Sequence, residues 1–158
     1  MSKSASDTKS DLRLQDFLPY RLAITSNRVS RMVAADYRAR FGLSIWEWRV
    51  IAILGEGEPS TAQDLADAAA MDKVAVSRAV RALVERGLVY RFAHESDKRS
   101  RLLDLTEAGL GVYTEIAPIA LEAEARLLQG LSEDEAALLA RLLDRIRTTA
   151  QSRLDQSS

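Results

Sequence analysis

At Gly87 the apolar period of the chain switches from helical to alternating, and few folds accommodate that switch in this place. Just before it, Val76, Val80, Leu83 and Val84 recur at the spacing of one helix face, the face that packs on the preceding helix. Just after it, Leu88, Tyr90 and Phe92 fall on one side of a strand, and Val89, Arg91 and Ala93 on the other. A polar turn over 94–99 leads to a second alternating run through Arg101, Leu103 and Leu105. The pattern therefore predicts a helix, a glycine stop and a β-hairpin with a long charged tip.

The helix starts carry their own punctuation. Ser44 is followed three residues on by Glu47, Ser60 by Gln63 and Ser132 by Glu135. That is capping-box spacing, in which the two side chains satisfy amide donors left unpaired at a helix start. The helices expected from these starts cover 45–55, 61–70 and 133–153. Asp72 is placed to cap a fourth over 73–86. Upstream, Leu18, Leu22, Val29, Val33 and Tyr37 predict a helix from about residue 14 to 39, which Phe41 and Gly42 terminate. Thr106 opens a last long helix to about residue 129, kinked rather than broken at Pro118. Residues 1–13 are Ser-, Lys- and Asp-rich and read as a disordered tail.

The expected fold is thus mainly α with a small β-hairpin wing (α+β), in one domain over 14–158. A winged helix-turn-helix at 45–105 is flanked by helices at 14–41 and 106–153. Those flanking helices carry apolar stripes, among them Leu121, Leu127, Leu128, Leu138, Leu142 and Ile146, too broad for a small winged unit to cover. They read as dimerisation helices, the alternative being a purely intramolecular core.

Composition narrows the function. The chain is 47% apolar and 28% charged, an ordinary globular balance. It has no cysteine, and His94 is its single histidine, which leaves no thiol nucleophile, no histidine triad and few metal sites. With no glycine-rich phosphate loop and no nucleophile–base pair, nothing points to an enzyme, a cofactor or a metal. The lack of a long apolar run or signal-like start points away from membrane and towards the cytoplasm.

The net charge of -1 conceals an asymmetry. Residues 73–101 hold eight Lys/Arg against three Asp/Glu, a local balance of +5 that leaves −6 for the remainder. Within this segment Ser77, Arg78 and Arg81 lie on another face of the helix, with Lys73 near its N-terminal end, as donors suited to phosphates and guanine edges. The wing adds Lys98, Arg99 and Arg101, cations of the kind that enter a minor groove. Either feature alone also fits a solvated basic surface. Together and in this order they point to double-stranded DNA.

The stretches TAQDLADAAAMDKVAVSRAVRALVERGLVYR and ESDKRSRLLDLTEAG resemble the MarR family. The most specific piece is Asp97-Lys98-Arg99-Ser100 running into Leu103-Asp104-Leu105-Thr106 and Gly109. The resemblance implies a homodimeric repressor with intertwined terminal helices, one winged unit per lobe and a palindromic operator. It implies that Arg99 enters the minor groove, oriented by Asp97, while Ser77 and Arg78 face the major groove. It also implies a small-molecule effector. FLPYRLAITSNRVSRMV and FGLSIWEWRVIAILGE are similar to a sub-branch tied to aromatic catabolism, some of whose members answer to hydroxycinnamoyl-CoA thioesters. On that basis Phe17, Tyr20, Arg21, Arg28, Trp46 and Trp48 are effector candidates, and Arg31 and Arg38 could join Arg21 and Arg28 on the coenzyme phosphates. The alternatives are core aromatics, ion pairs between these arginines and Asp36 or the acidic C-terminal helices, and a DNA-binding regulator or architectural protein with no ligand.

Overall fold

The structure is a computed structural model that describes residues 12–93 and 101–157. The wing tip with Asp97, Lys98 and Arg99, and most of the expected tail, lie outside the described residues.

A short 3-10 turn at Leu14–Asp16 precedes α1, Leu18–Phe41. The helix begins later than its apolar period suggests because Pro19 sits in its first turn. A start at residue 14 would place that proline where the Gln15 carbonyl needs an amide donor. Gly42 ends α1 in the left-handed region, φ 63°, and donates to the Arg38 carbonyl at 2.8 Å. Next come α2 (Ile45–Glu56), the two-residue strand β1 (Ser60–Thr61), α3 (Ala62–Ala69) and α4 (Lys73–Glu85). The hairpin strands β2 (Val89–Ala93) and β3 (Arg101–Leu105) lead to α5 (Glu107–Leu128) and α6 (Glu133–Asp155). α5 runs unbroken through Pro118.

Capping boxes open α2 at Ser44–Glu47 and α6 at Ser132–Glu135, as the spacing predicts. The third box is displaced by one residue. Thr61 and Asp64 cap α3, while the Ser60 hydroxyl donates to the Glu58 carbonyl. Ser60 is held extended because it pairs with Leu103 in the sheet, so the helix can begin only after it.

The sheet is antiparallel in the order β1-β3-β2, so the wing has a third, very short strand beyond the expected hairpin. Val89 pairs with Leu105, Arg91 with Leu103 and Ala93 with Arg101, and Val89 and Leu103 are buried on this inner face. Tyr90 and Phe92 occupy the outer face and stack on each other at 5.4 Å. Alternation defines the two faces of a strand but not which one meets the core.

Leu43, Val50, Ile51 and Leu65 join Val76, Val80 and Leu83 of α4 in one continuous core. Ala79 completes that face, whereas Val84 is 36% exposed. At about 100° per residue, Val76, Ala79, Val80 and Leu83 share one arc and Val84 falls at its margin. Two glycines bring α5 against the winged unit. A Cβ at Gly109 would fall on the Leu88 carbonyl oxygen, and one at Gly55 would lie 2.6 Å from the Tyr113 ring. α6 buries no residue, and Leu138, Leu139, Leu142, Leu143 and Ile146 remain 38–45% exposed along it.

Candidate nucleic-acid interface

α4 starts sharply. Ala70 closes α3 in the left-handed region (φ 51°, ψ 47°), and Asp72 accepts from the Ala75 amide at 2.8 Å to open the next helix. This short turn directs the first residues of α4 beside the inner face of the wing. There Gln63, Lys73, Ser77, Arg91 and Arg101 line a concavity of about 360 Å³ with Val80 and Leu103 beneath them. Among the described residues, three that line it are cations and none is acidic. No ion pair among the described residues involves Lys73, Arg78, Arg81, Arg91 or Arg101. A cluster of cations of this kind attracts polyanions.

Of the sequence candidates, Lys73, Ser77 and Arg101 meet in this concavity. Arg81 is exposed one turn beyond Ser77. Arg78 looks elsewhere, into a cleft of about 180 Å³ with Ser44, Trp46 and Glu47 at the start of α2. Arg91 and Gln63 join the site although their residue types did not single them out. Once Val89 is known to be the core-facing residue, Arg91, two positions on, must share its face. Arg86 belongs to the same basic segment but serves the fold. Its guanidinium donates to the Phe41 carbonyl at 2.7 Å and more weakly to Gly42 at 3.4 Å, capping the end of α1.

A second cleft, about 520 Å³, opens between α1 and α2 and is lined by Ser26, Asn27, Ser30, Arg31, Ile45, Trp46 and Arg49. Trp46 thus forms a wall of both clefts. Trp48 packs instead, in a row with Tyr37 at 5.7 Å and Tyr113 at 6.2 Å. Burial pushes the Tyr37 phenol up, against the opposing pull of Arg38 and Arg49. Phe17 and Tyr20 are exposed at the start of α1, and Arg21 and Arg28 face solvent outside the cleft lining. Phe17 precedes Ser26 by nine residues, about 13 Å along a helix. Asp36 does pair with a cation, but with Arg126 of α5, and Arg40 of α1 reaches Glu115 at 2.7 Å.

A two-faced helix set on a supporting helix, with a small antiparallel sheet beside its N-terminal end, defines a winged helix-turn-helix DNA-binding unit. The sequence profile of the MarR family matches residues 41–100. A probable transcriptional regulator from Pseudomonas aeruginosa is 30% identical, with a TM-score of 0.74 over 85% of this chain and 99% of that one. A MarR/EmrR family regulator from Acinetobacter sp. ADP1 is 28% identical, with a TM-score of 0.82 over 89% of this chain and 99% of its own. The HTH-type transcriptional regulator BilQ of Clostridium symbiosum is 27% identical over 113 residues, 72% of this chain and 78% of that protein. The chain belongs to the MarR family of winged-helix transcriptional regulators. It is a DNA-binding regulator, and its relatives are regulators rather than enzymes.

Proposed function

We propose that this chain is a dimeric, sequence-specific repressor that binds a palindromic operator in the cytoplasm and is released by a small aromatic acid or its CoA thioester. The observation that carries the DNA-binding half is the basic concavity where Lys73, Ser77, Arg91 and Arg101 converge beside α4. In this reading Lys73, Ser77, Arg78 and Arg81 meet the major groove. Lys98, Arg99 and Arg101 meet the minor groove, with Asp97 orienting Arg99 through a charge-assisted hydrogen bond. The exposed apolar row of α6 supports the dimer. Fully burying a large aliphatic side chain is worth about 1.5–3 kcal/mol, so covering the open part of each contributes roughly 1 kcal/mol.

The effector half rests on the α1–α2 cleft, which Arg31, Arg49 and Trp46 line together, with the Arg49 guanidinium over the Trp46 ring. That combination suits a planar anion. For a CoA thioester, Arg21, Arg28 and Arg38 along α1 are the groups available to the coenzyme phosphates, and Phe17 and Tyr20 offer further aromatic surface. Trp48 packs between Tyr37 and Tyr113, outside the lining of that cleft. The test is tryptophan fluorescence titrated with hydroxycinnamoyl-CoA thioesters and the free acids, beside operator binding. Saturable quenching with loss of operator binding is expected. Tight operator binding with no response to any of them would favour a regulator that works without a ligand.

A further inference from the structure

α4 is suspended between two guanidinium groups. At its C-terminal end Arg86 holds the last carbonyls of α1. At its N-terminal end the link is indirect: Arg49 of α2 donates to the Ala69 carbonyl at 3.1 Å. That carbonyl is one of those left without a helical partner where α3 ends, and the turn into α4 starts at the next residue. Ala70, the next residue, is the only non-glycine with positive φ among the described residues. Left-handed backbone is unfavourable for an L-residue with a Cβ, so this turn is held against its own preference.

The same Arg49 lines the α1–α2 cleft, with its guanidinium 5.2 Å from the centre of the Trp46 ring. Guanidinium donors are fixed in one plane, so turning the group to face one partner moves every other hydrogen bond it makes. A carboxylate is also the stronger partner, since it meets the guanidinium with a full opposite charge and two acceptor oxygens, where the carbonyl offers one neutral oxygen.

We propose that Arg49 is the positioning residue through which an anion in the α1–α2 cleft moves the N-terminal end of α4. The proposal rests on reading that cleft as the effector site. The anion draws the guanidinium away from the Ala69 carbonyl and frees the turn at Ala70. α4 then pivots about the end that Arg86 holds. The displaced end carries Lys73 and Ser77, so the DNA-reading concavity is disassembled without any contact between effector and DNA.

The experiment uses the full chain, isotope-labelled for NMR, with benzoate as the probe and an operator selected by the protein from random duplexes. Benzoate should shift the amides of 26–31 and 45–49. With the same midpoint it should shift those of 69–73 and the side-chain nitrogens of Arg49, and it should weaken operator binding roughly tenfold. Arg49→Lys keeps the charge but not the planar fork. In that variant the cleft amides should still respond, those of 69–73 should not follow, and the loss of operator binding should shrink to under about twofold. The wild-type Arg49 side-chain signals decide the matter even if the variant folds poorly. Cleft shifts without movement at 69–73, or full release in Arg49→Lys, would overturn the relay while leaving the effector site standing. No response to benzoate anywhere would overturn both.

Discussion

Leu65, Val76, Val80, Leu83 and Leu103 in the winged unit are each no more than 3% exposed, whereas the apolar row of α6 stays 38–45% exposed. The two regions draw on the same residue types and end in opposite states. The winged unit closes its core within one chain because short helices and a sheet surround it on several sides. α6 is a single amphipathic rod whose apolar face finds little cover among the described residues. Between them, α1 and α5 pack through Ala34, Tyr37, Ile116 and Ala123, with the Arg40–Glu115 and Arg126–Asp36 ion pairs at the surface. Ion pairs as exposed as these contribute at most about 1 kcal/mol each. The lesson is a division of labour: the head is finished as a monomer, and the arms, on the proposed reading, are finished by assembly.

The largest expected effect comes from charging the unfinished arm. Leu142→Glu should convert the dimer to monomer in size-exclusion chromatography with light scattering. Operator affinity should then fall about 10²–10⁴-fold, because a monomer loses the second half-site held at high effective concentration. A dimer that survives this change would mean that α6 is not where the copies meet, and the contrast between finished head and unfinished arm would collapse.

Next in size is the junction where head and arm press together. Gly109→Ala forces a methyl group onto the Leu88 backbone carbonyl, which no rotamer can relieve. A loss of about 3 kcal/mol in denaturant unfolding is expected. Gly55→Ala meets the Tyr113 ring instead, a side chain that can shift, and should cost less. Equal costs would show that the Leu88 backbone gives way as readily as the Tyr113 ring.

Within the head, the comparison sharpens between the two sides of α4. Arg78→Ala should cost about 2 kcal/mol of operator binding and relax sequence preference if Arg78 reads bases. Lys73→Ala should weaken binding to all duplexes alike and lower the salt slope by about 1. Anisotropy titrations at several salt concentrations, on operator and on random DNA, separate the two. Should both variants behave alike, the two clefts flanking α4 do not divide base reading from phosphate contact.

What the sequence disclosed about these regions follows from the range of the interactions involved. Ser44, Asp72, Thr106 and Ser132 were legible as helix starts because each cap is completed three residues away. The period switch at Gly87, and the basic face of α4, were legible for the same local reason. Arg91 was not, since its place in the concavity depends on Val89 packing inward against the sheet's other strands. Arg86 was misleading in the charge count, because its partners Phe41 and Gly42 stand more than forty residues away. The effector candidates scattered likewise: Trp46 lines the cleft, but Ser26, Asn27, Ser30 and Arg49 join it through the crossing of α1 and α2, which no local pattern encodes.

The smallest expected effect tests that boundary between local and distant control at one helix start. Two overlapping capping boxes compete there, Ser60 with Gln63 and Thr61 with Asp64, and pairing of Ser60 with Leu103 decides for the second. Thr61→Ala should cost about 1 kcal/mol, and Ser60→Ala only a few tenths. The pH dependence gives an independent reading. The Thr61 side-chain and backbone donors hold the Asp64 carboxyl below its ordinary 3.8. Its share of stability is therefore complete above that ordinary value and lost as pH falls through the lower folded one. Thr61→Ala removes the side-chain donor, so the gap from the native chain should narrow on acidification, whereas Ser60→Ala should leave a small, pH-independent offset. Denaturant unfolding at neutral and acid pH measures both. The reverse pattern would mean that Ser60 is the cap and that the sheet does not set where α3 begins.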